Sequence, residues 1–186
     1  MPHNATTKAM HQHYASARQN AGPGACILAL HLGAQQCGMA LGTGPTADRM
    51  QVLPLGLERT AAEQFRTTPP TPLALENAIM VVEDVVMPLR AHIPRDAQLF
   101  CCDAAVREIA LLSGVPQQPV MVLSLEAMER SFNRLSRVVQ GMPAVHEGLP
   151  ESNAFATALL ILREFMHHLQ FDAITVLENP VHGLER

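Results

Sequence analysis

The spacing of apolar positions changes several times along the chain, and each change predicts a new element. Three short runs, CILALHL (26–32), QQCGMAL (35–41) and MQVLPL (50–55), have the length of strands. The first is apolar at both alternating sets of positions, which predicts a central strand covered on each face. Gly42, Gly44 and Pro45 between the second and third predict a hairpin connection. Helical spacing follows over 57–65, stopped by TTPPTP, and over 73–93, where Pro88 kinks or ends the last turns. A short strand at 97–102 feeds DAAVREIALLSG, for which Asp103 supplies an N-cap and Gly114 a stop. PVMVLS (119–124) reads as a further strand or an extended edge, with Ser124 capping the next helix. In that helix Leu125, Met128, Phe132, Leu135 and Val139 share one face, while Arg130, Arg134 and Arg137 lie on another, read as solvated. A last helix over 153–169 carries Phe155, Leu159, Leu162, Phe165, Met166 and Leu169 on one stripe, and 172–179 closes as a strand. The order predicts an α/β layered domain with a mixed sheet of about five strands flanked by helices.

Residues 1–24 show no sustained apolar period and end in GPG, so they are expected to form a mobile arm ahead of a single domain over 25–186. The core must be aliphatic and rich in Met, because the chain has ten Met, only 4% aromatic residues and no Trp. A formal charge of −4 with no basic run argues against nucleic acid as a partner. The lack of an apolar run approaching roughly 18–20 residues argues against a membrane span, and the cytoplasm is the expected compartment. Cys26, Cys37, Cys101 and Cys102 form no CxxC and are expected to be reduced, buried thiols.

Three meandering strands followed by alternating helices and strands are the order of a ribonuclease H-like domain of the actin, sugar-kinase and heat-shock chaperone superfamily. VLPLGLERTAAEQF (52–65) narrows the likeness. It resembles the exopolyphosphatase and guanosine pentaphosphate phosphatase family, in which a strand ending Leu-Pro-Leu-Gly precedes an arginine and a helix. Arg59 would be the matching arginine. ILALHLGAQQCG lies where that family has an Asp-Ile-Gly-Gly-Gly-Ser-Thr-Glu phosphate loop. GLPESNAFATALLIL and ITVLENPVHGLER resemble its later motifs. The resemblance implies the second of two related domains around a phosphatase cleft. It places His31 where the family has Asp, Ala34 and Gln35 where it has Gly, and Gln36 and Cys37 where it has Ser and Thr. Gly38 stands in place of Glu, and Asp103-Ala104-Ala105 in place of a second glycine-rich turn. Those changes remove the carboxylates and most glycines with which such a loop would hold Mg²⁺ and phosphate.

The candidate ligand-contacting residues are therefore His31, Gln35, Gln36, Cys37, Arg59 and Asp103, with no catalytic residue and no metal ligand assigned. His31 reads as a packed, hydrogen-bonded histidine or as a ligand contact. A Cys37–His31 nucleophile lacks a third group to orient the imidazole. His11 and His13, with His3, read as solvated rather than metal-binding. Glu76 and Glu83-Asp84 read as a solvated face, and His167-His168 as partners of a helix dipole. Three functions follow: a non-catalytic regulatory, binding or assembly module that self-associates as a dimer; a phosphoanhydride hydrolase whose site is completed by a second copy or chain; and a sensor of a phosphate-containing small molecule. In the second, Arg59, Gln35 and Gln36 would meet phosphate and Asp103 or Glu108 would hold Mg²⁺. No other cofactor is expected.

Overall fold

The computed structural model describes residues 2–178, with side chains from residue 5 onward; the resemblance at the chain's end therefore lies largely outside the described residues. Six strands form one sheet in the order β3-β2-β1-β4-β6-β5. They are β1 (Ile27–Leu32), β2 (Cys37–Gly42), β3 (Arg49–Leu53), β4 (Gln98–Cys101), β5 (Val120–Ser124) and β6 (Ala173–Leu177). The first three form the expected antiparallel meander, β4 and β6 continue parallel to β1, and β5 returns antiparallel along the edge. The sixth strand is the segment read as strand or edge, whose alternate residues Val120 and Val122 stay exposed.

Alternation sorts β1 and β4 between two cores. Leu28, Leu30, Leu32, Leu99 and Cys101 face the larger one, which is closed by α2 (Leu57–Gln64), α3 (Pro72–Val86), α4 (Ala104–Leu112), α5 (Leu125–Val139) and α7 (Asn153–His168). Ile27, Ala29, Phe100 and Cys102 face the smaller one. Cys101 and Cys102 thus lie on opposite sides of the sheet. Pro88 ends α3 as expected, and the chain tightens into a 3₁₀ helix over Met87–His92. Thr71 and Ser124 cap α3 and α5 by accepting from the Ala74 and Ala127 N–H groups. α7 is apolar around nearly its whole circumference and runs through the larger core, so its pattern is that of a buried helix rather than of a one-sided stripe.

The smaller core overturns the expectation of a mobile arm. Residues Pro2–Asn20 form helix α1, which buries Met10, Tyr14 and Ala17 against the sheet. β2 is shaped for it, since Gly38, Ala40 and Gly42 present almost no side chain on that face. A Cβ at Gly38 would fall on the Met10 thioether, 2.8 Å from its Cγ, and one at Gly42 would fall 2.7 Å from the Tyr14 hydroxyl. Polar ties complete the docking: Tyr14 OH donates to the Gly44 carbonyl at 2.9 Å, and Arg18 Nη1 to the Ala25 and Thr43 carbonyls at 2.9 and 3.1 Å. Among the described residues no helix is long and apolar enough to cross a membrane.

A second correction concerns α5. Arg130 pairs with Glu126 at the surface, but Arg134 is not merely solvated. Its guanidinium donates to the carbonyls of Glu147 and Gly148, which end the short helix α6 (Ala144–Glu147), and to that of Leu112 at the end of α4. Arg137 pairs with the Glu147 carboxylate at 2.6 Å.

Candidate functional site

At the carboxyl ends of β1 and β4 the chain assembles a buried polar cluster from three distant segments. His31, the fifth residue of β1, points to the α1 side of the sheet, and Asp103 lies between β4 and α4. His31 Nδ1 is 2.9 Å from Asp103 Oδ1; the carboxylate is the acceptor, so Nδ1 carries the hydrogen. Asp103 Oδ2 accepts from the Leu32 N–H at 2.7 Å and from the Cys101 thiol at 3.1 Å. His13 arrives from α1. Its Nδ1 donates to the Leu30 carbonyl at 2.8 Å, its Nε2 lies 3.6 Å from Asp103 Oδ1, and its ring meets that of His31 edge-on at 5.1 Å.

The electrostatics follow from this geometry. Burial alone would raise the Asp103 carboxyl, but the hydrogen bond from His31, attraction to His13 and His31 and the Leu32 N–H together hold it below the usual carboxylate range. Asp103 is therefore an anion under ordinary conditions. It does not serve as the expected side-chain N-cap of α4, because its oxygens turn back toward β1. The same carboxylate is the orienting group that the sequence reading of His31 lacked. His31 Nε2 lies against Gly33, where even a Cβ would sit 2.9 Å from it.

The Cys37–His31 pairing fails on register. His31 stands opposite Gly38 and Leu32 opposite Cys37, so the two side chains leave the sheet on opposite faces. Burial, reinforced by the Asp103 charge, pushes the Cys37 thiol far above its ordinary value. Cys102 is pushed up to about 11 by the same two effects. Neither thiol is primed as a nucleophile.

The turn 33–36, at the place of the resembled phosphate loop, closes onto the start of α2. The Leu57 N–H donates to the Gly33 carbonyl at 3.0 Å, and the Glu58 and Arg59 N–H groups donate to the Ala34 carbonyl at 2.9 and 3.1 Å. The amides with which a helix start would receive an anion are thus taken by the turn itself. Gly56 permits the approach, since a Cβ there would lie 2.5 Å from the Ala34 oxygen. Gln35 donates to Glu58 at 3.4 Å, and Arg59 pairs with Glu63 at 2.9 Å on the exposed side of α2. Gln36 is partly buried in the same turn. Beside α2, a cavity of about 180 Å³ is lined by Leu57, Ala105, Glu108, Pro150, Ser152 and Phe155. The starts of α4 and α7 border it; Ser152 Oγ caps α7 by accepting from Phe155 at 3.3 Å, whereas α4 has no side-chain cap.

The structure thus brings His31 and Asp103 together and adds His13 and Cys101, while Gln35, Arg59 and Cys37 point elsewhere. His13 was legible only through its spacing: it shares a helical face with Met10 and Ala17, so it belongs to a buried surface once that surface is recognised. Glu83 and His168, read separately, also meet. His168 Nε2 is 3.1 Å from Glu83 Oε1, so Glu83 is not simply solvated and His168 does more than face the helix dipole.

No model of a known protein family matches the sequence, and no curated protein does. Solved structures do. The structure of the Aquifex aeolicus PPX-GPPA enzyme superimposes with a TM-score of 0.75 at 14% identity, covering 92% of this chain and 59% of that one. An exopolyphosphatase from Cytophaga hutchinsonii superimposes with a TM-score of 0.71 at 17% identity, covering 93% and 60%. An exopolyphosphatase-like protein gives 0.66 at 14% identity, covering 93% and 62%. The chain has the actin-like, ribonuclease H-like fold of these proteins and spans about three fifths of their length.

Proposed function

We propose that the chain is a non-catalytic, exopolyphosphatase-like half-domain that works in the cytoplasm as a regulatory, binding or assembly module, paired with a second copy of itself. The observation that carries this reading is the closure of turn 33–36 on α2. Carbonyls of Gly33 and Ala34 occupy the amides that a phosphate would need. The one carboxylate at the neighbouring helix start is turned toward His31 and His13 instead of the cavity.

The test is phosphate release from polyphosphate, guanosine pentaphosphate and ATP, with Mg²⁺ or Mn²⁺ present. No release above the protein-free blank is expected. Turnover would overturn the reading in favour of a hydrolase completed between copies, and would bring Mg²⁺ in as its cofactor. Light scattering at micromolar concentration is expected to return a dimer, and a monomer would remove the assembly role. The cavity beside α2 favours a second reading, a sensor of a small phosphate-bearing molecule. In that case such compounds raise the melting temperature by mass action without being turned over.

A further inference from the structure

Far from that cavity, at the last turns of α7, a second cluster of ligating groups faces α3. Glu164 and His168 are one helical turn apart on α7, and Glu83 comes from α3. His168 Nε2 lies 2.9 Å from Glu164 Oε2 and 3.1 Å from Glu83 Oε1. One ligating atom from each residue can be chosen so that all three lie within 4.8 Å of one another. The twelve residues from Ser152 to Glu164 place this cluster about 18 Å along the helix from the cavity. It is therefore independent of the reading of the cleft.

Glu164 is the informative member. Its side chain is 0% exposed, and its Oε1 accepts from Arg163 Nη1 at 2.7 Å, which fixes the plane of the carboxylate. Its Oε2 is buried and lies 2.9 Å from His168 Nε2 without the geometry of a hydrogen bond, which that nitrogen makes to Glu83 instead. A buried carboxylate oxygen left unsatisfied is costly. Arg163 is itself held by Glu129 at 3.2 Å, so the positive charge nearest the cluster is shared with a second carboxylate.

We propose that Glu83, Glu164 and His168 form a binding site for a first-row divalent metal ion of the Zn²⁺ or Co²⁺ type, which clamps the end of α3 to the end of α7. One imidazole nitrogen with two carboxylate oxygens is a donor set such ions accept. With the imidazole hydrogen moved from Nε2 to Nδ1, the Nε2 lone pair is free for the metal, which also gives Glu164 Oε2 a bond. Tetrahedral bonds of about 2.0–2.2 Å separate ligand atoms by roughly 3.3 Å, so the two contacts at His168 need to open by only a few tenths of an ångström. Arg163 then plays the part of the outer partner that orients a ligating carboxylate. Glu83 and His168 are 33% and 21% exposed, so an ion can enter, and water can complete its shell, without unfolding the domain.

The test is calorimetric titration of the chelator-treated full chain with Zn²⁺, and of the His168→Gln and Glu83→Gln variants after circular dichroism has shown them folded. One equivalent is expected to bind the parent and raise its melting temperature, with each variant weakened about 100-fold or more. Glu83 stands at the partly exposed side and keeps the test alive if the His168 variant does not fold. No binding to the parent overturns the proposal, as does binding that both variants retain. Co²⁺ serves as the second probe: an absorption spectrum free of a thiolate-to-cobalt band supports the site, and such a band would move the metal to a cysteine and overturn it.

Discussion

Asp103→Asn tests whether the cluster under α1 is held by charge or merely by shape. The side chains are nearly equal in volume, so the exchange leaves packing intact and removes the anion. In the protein the carboxylate accepts from His31, the Leu32 N–H and the Cys101 thiol, and faces His13 at 3.6 Å. Asparagine keeps one acceptor oxygen, which can serve Leu32 and Cys101, but turns an amide toward His31 Nδ1. One charge-assisted hydrogen bond and the attraction of a second imidazole are lost in a site where Asp103 is only 13% exposed. The expected cost is about 3 kcal/mol, or roughly 6–12 °C in melting temperature for a domain of this size. The sign with pH is fixed. The Asp103 carboxyl is lower when folded than when unfolded, so its stabilisation is complete above the ordinary carboxylate range and is lost as pH falls through the folded value. Urea unfolding of both proteins at neutral pH and at several acidic values measures this directly. A neutral-pH difference below about 0.5 kcal/mol, or a difference that does not shrink in acid, refutes the charge argument.

Gly38→Val should lift α1 from β2, because its Cβ falls on Met10; limited proteolysis is expected to cut the connection after α1 faster than in the parent, and equal rates would count against the packing described. All four cysteines are buried, and the Cys37, Cys101 and Cys102 thiols are raised by burial and the Asp103 charge. A thiol reagent at mildly alkaline pH should therefore modify these three only slowly in the native protein, and all four at once in denaturant. Arg134→Ala removes the donors that end α6 and is expected to cost about 2 kcal/mol in chemical denaturation; Arg134→Lys should recover little of it, because one ammonium cannot reach carbonyls on two sides.

The meander, the helical crossovers and the edge strand were legible because their apolar residues are dense enough to display a period. α1 was not. Its buried face rests on Met10, Tyr14 and Ala17, with Thr6 and His13 also buried there, so hydropathy reads it as polar. The complementary signal lay in β2, where Gly38, Ala40 and Gly42 leave a furrow that only a closely packed helix fills. His31 was picked out as a candidate, yet its partner Asp103 is 72 residues away and its neighbour His13 stood in the supposed arm. Register then separated Cys37 from it, since adjacent positions on paired strands share a face only when they stand opposite one another. The contact between Glu83 and His168 joins two helices 85 residues apart, a distance that helical spacing does not report.

The enclosure of α7 also sets how the chain tolerates change. Eleven of its sixteen residues are buried, and the helix packs against α2, α3, α4 and α5. A surface helix can drift on its wet side while its inner stripe holds the fold; α7 has almost no wet side on which to drift. A larger side chain would push against several helices at once, and a smaller one would leave a void that each of them borders. In a saturation scan for soluble, folded protein, α7 would be the segment least able to vary, and the outer face of α3, with Leu73, Met80 and Val81 exposed, among the freest. The sheet carries the chain's architecture, but mutational robustness is decided by one helix behind it.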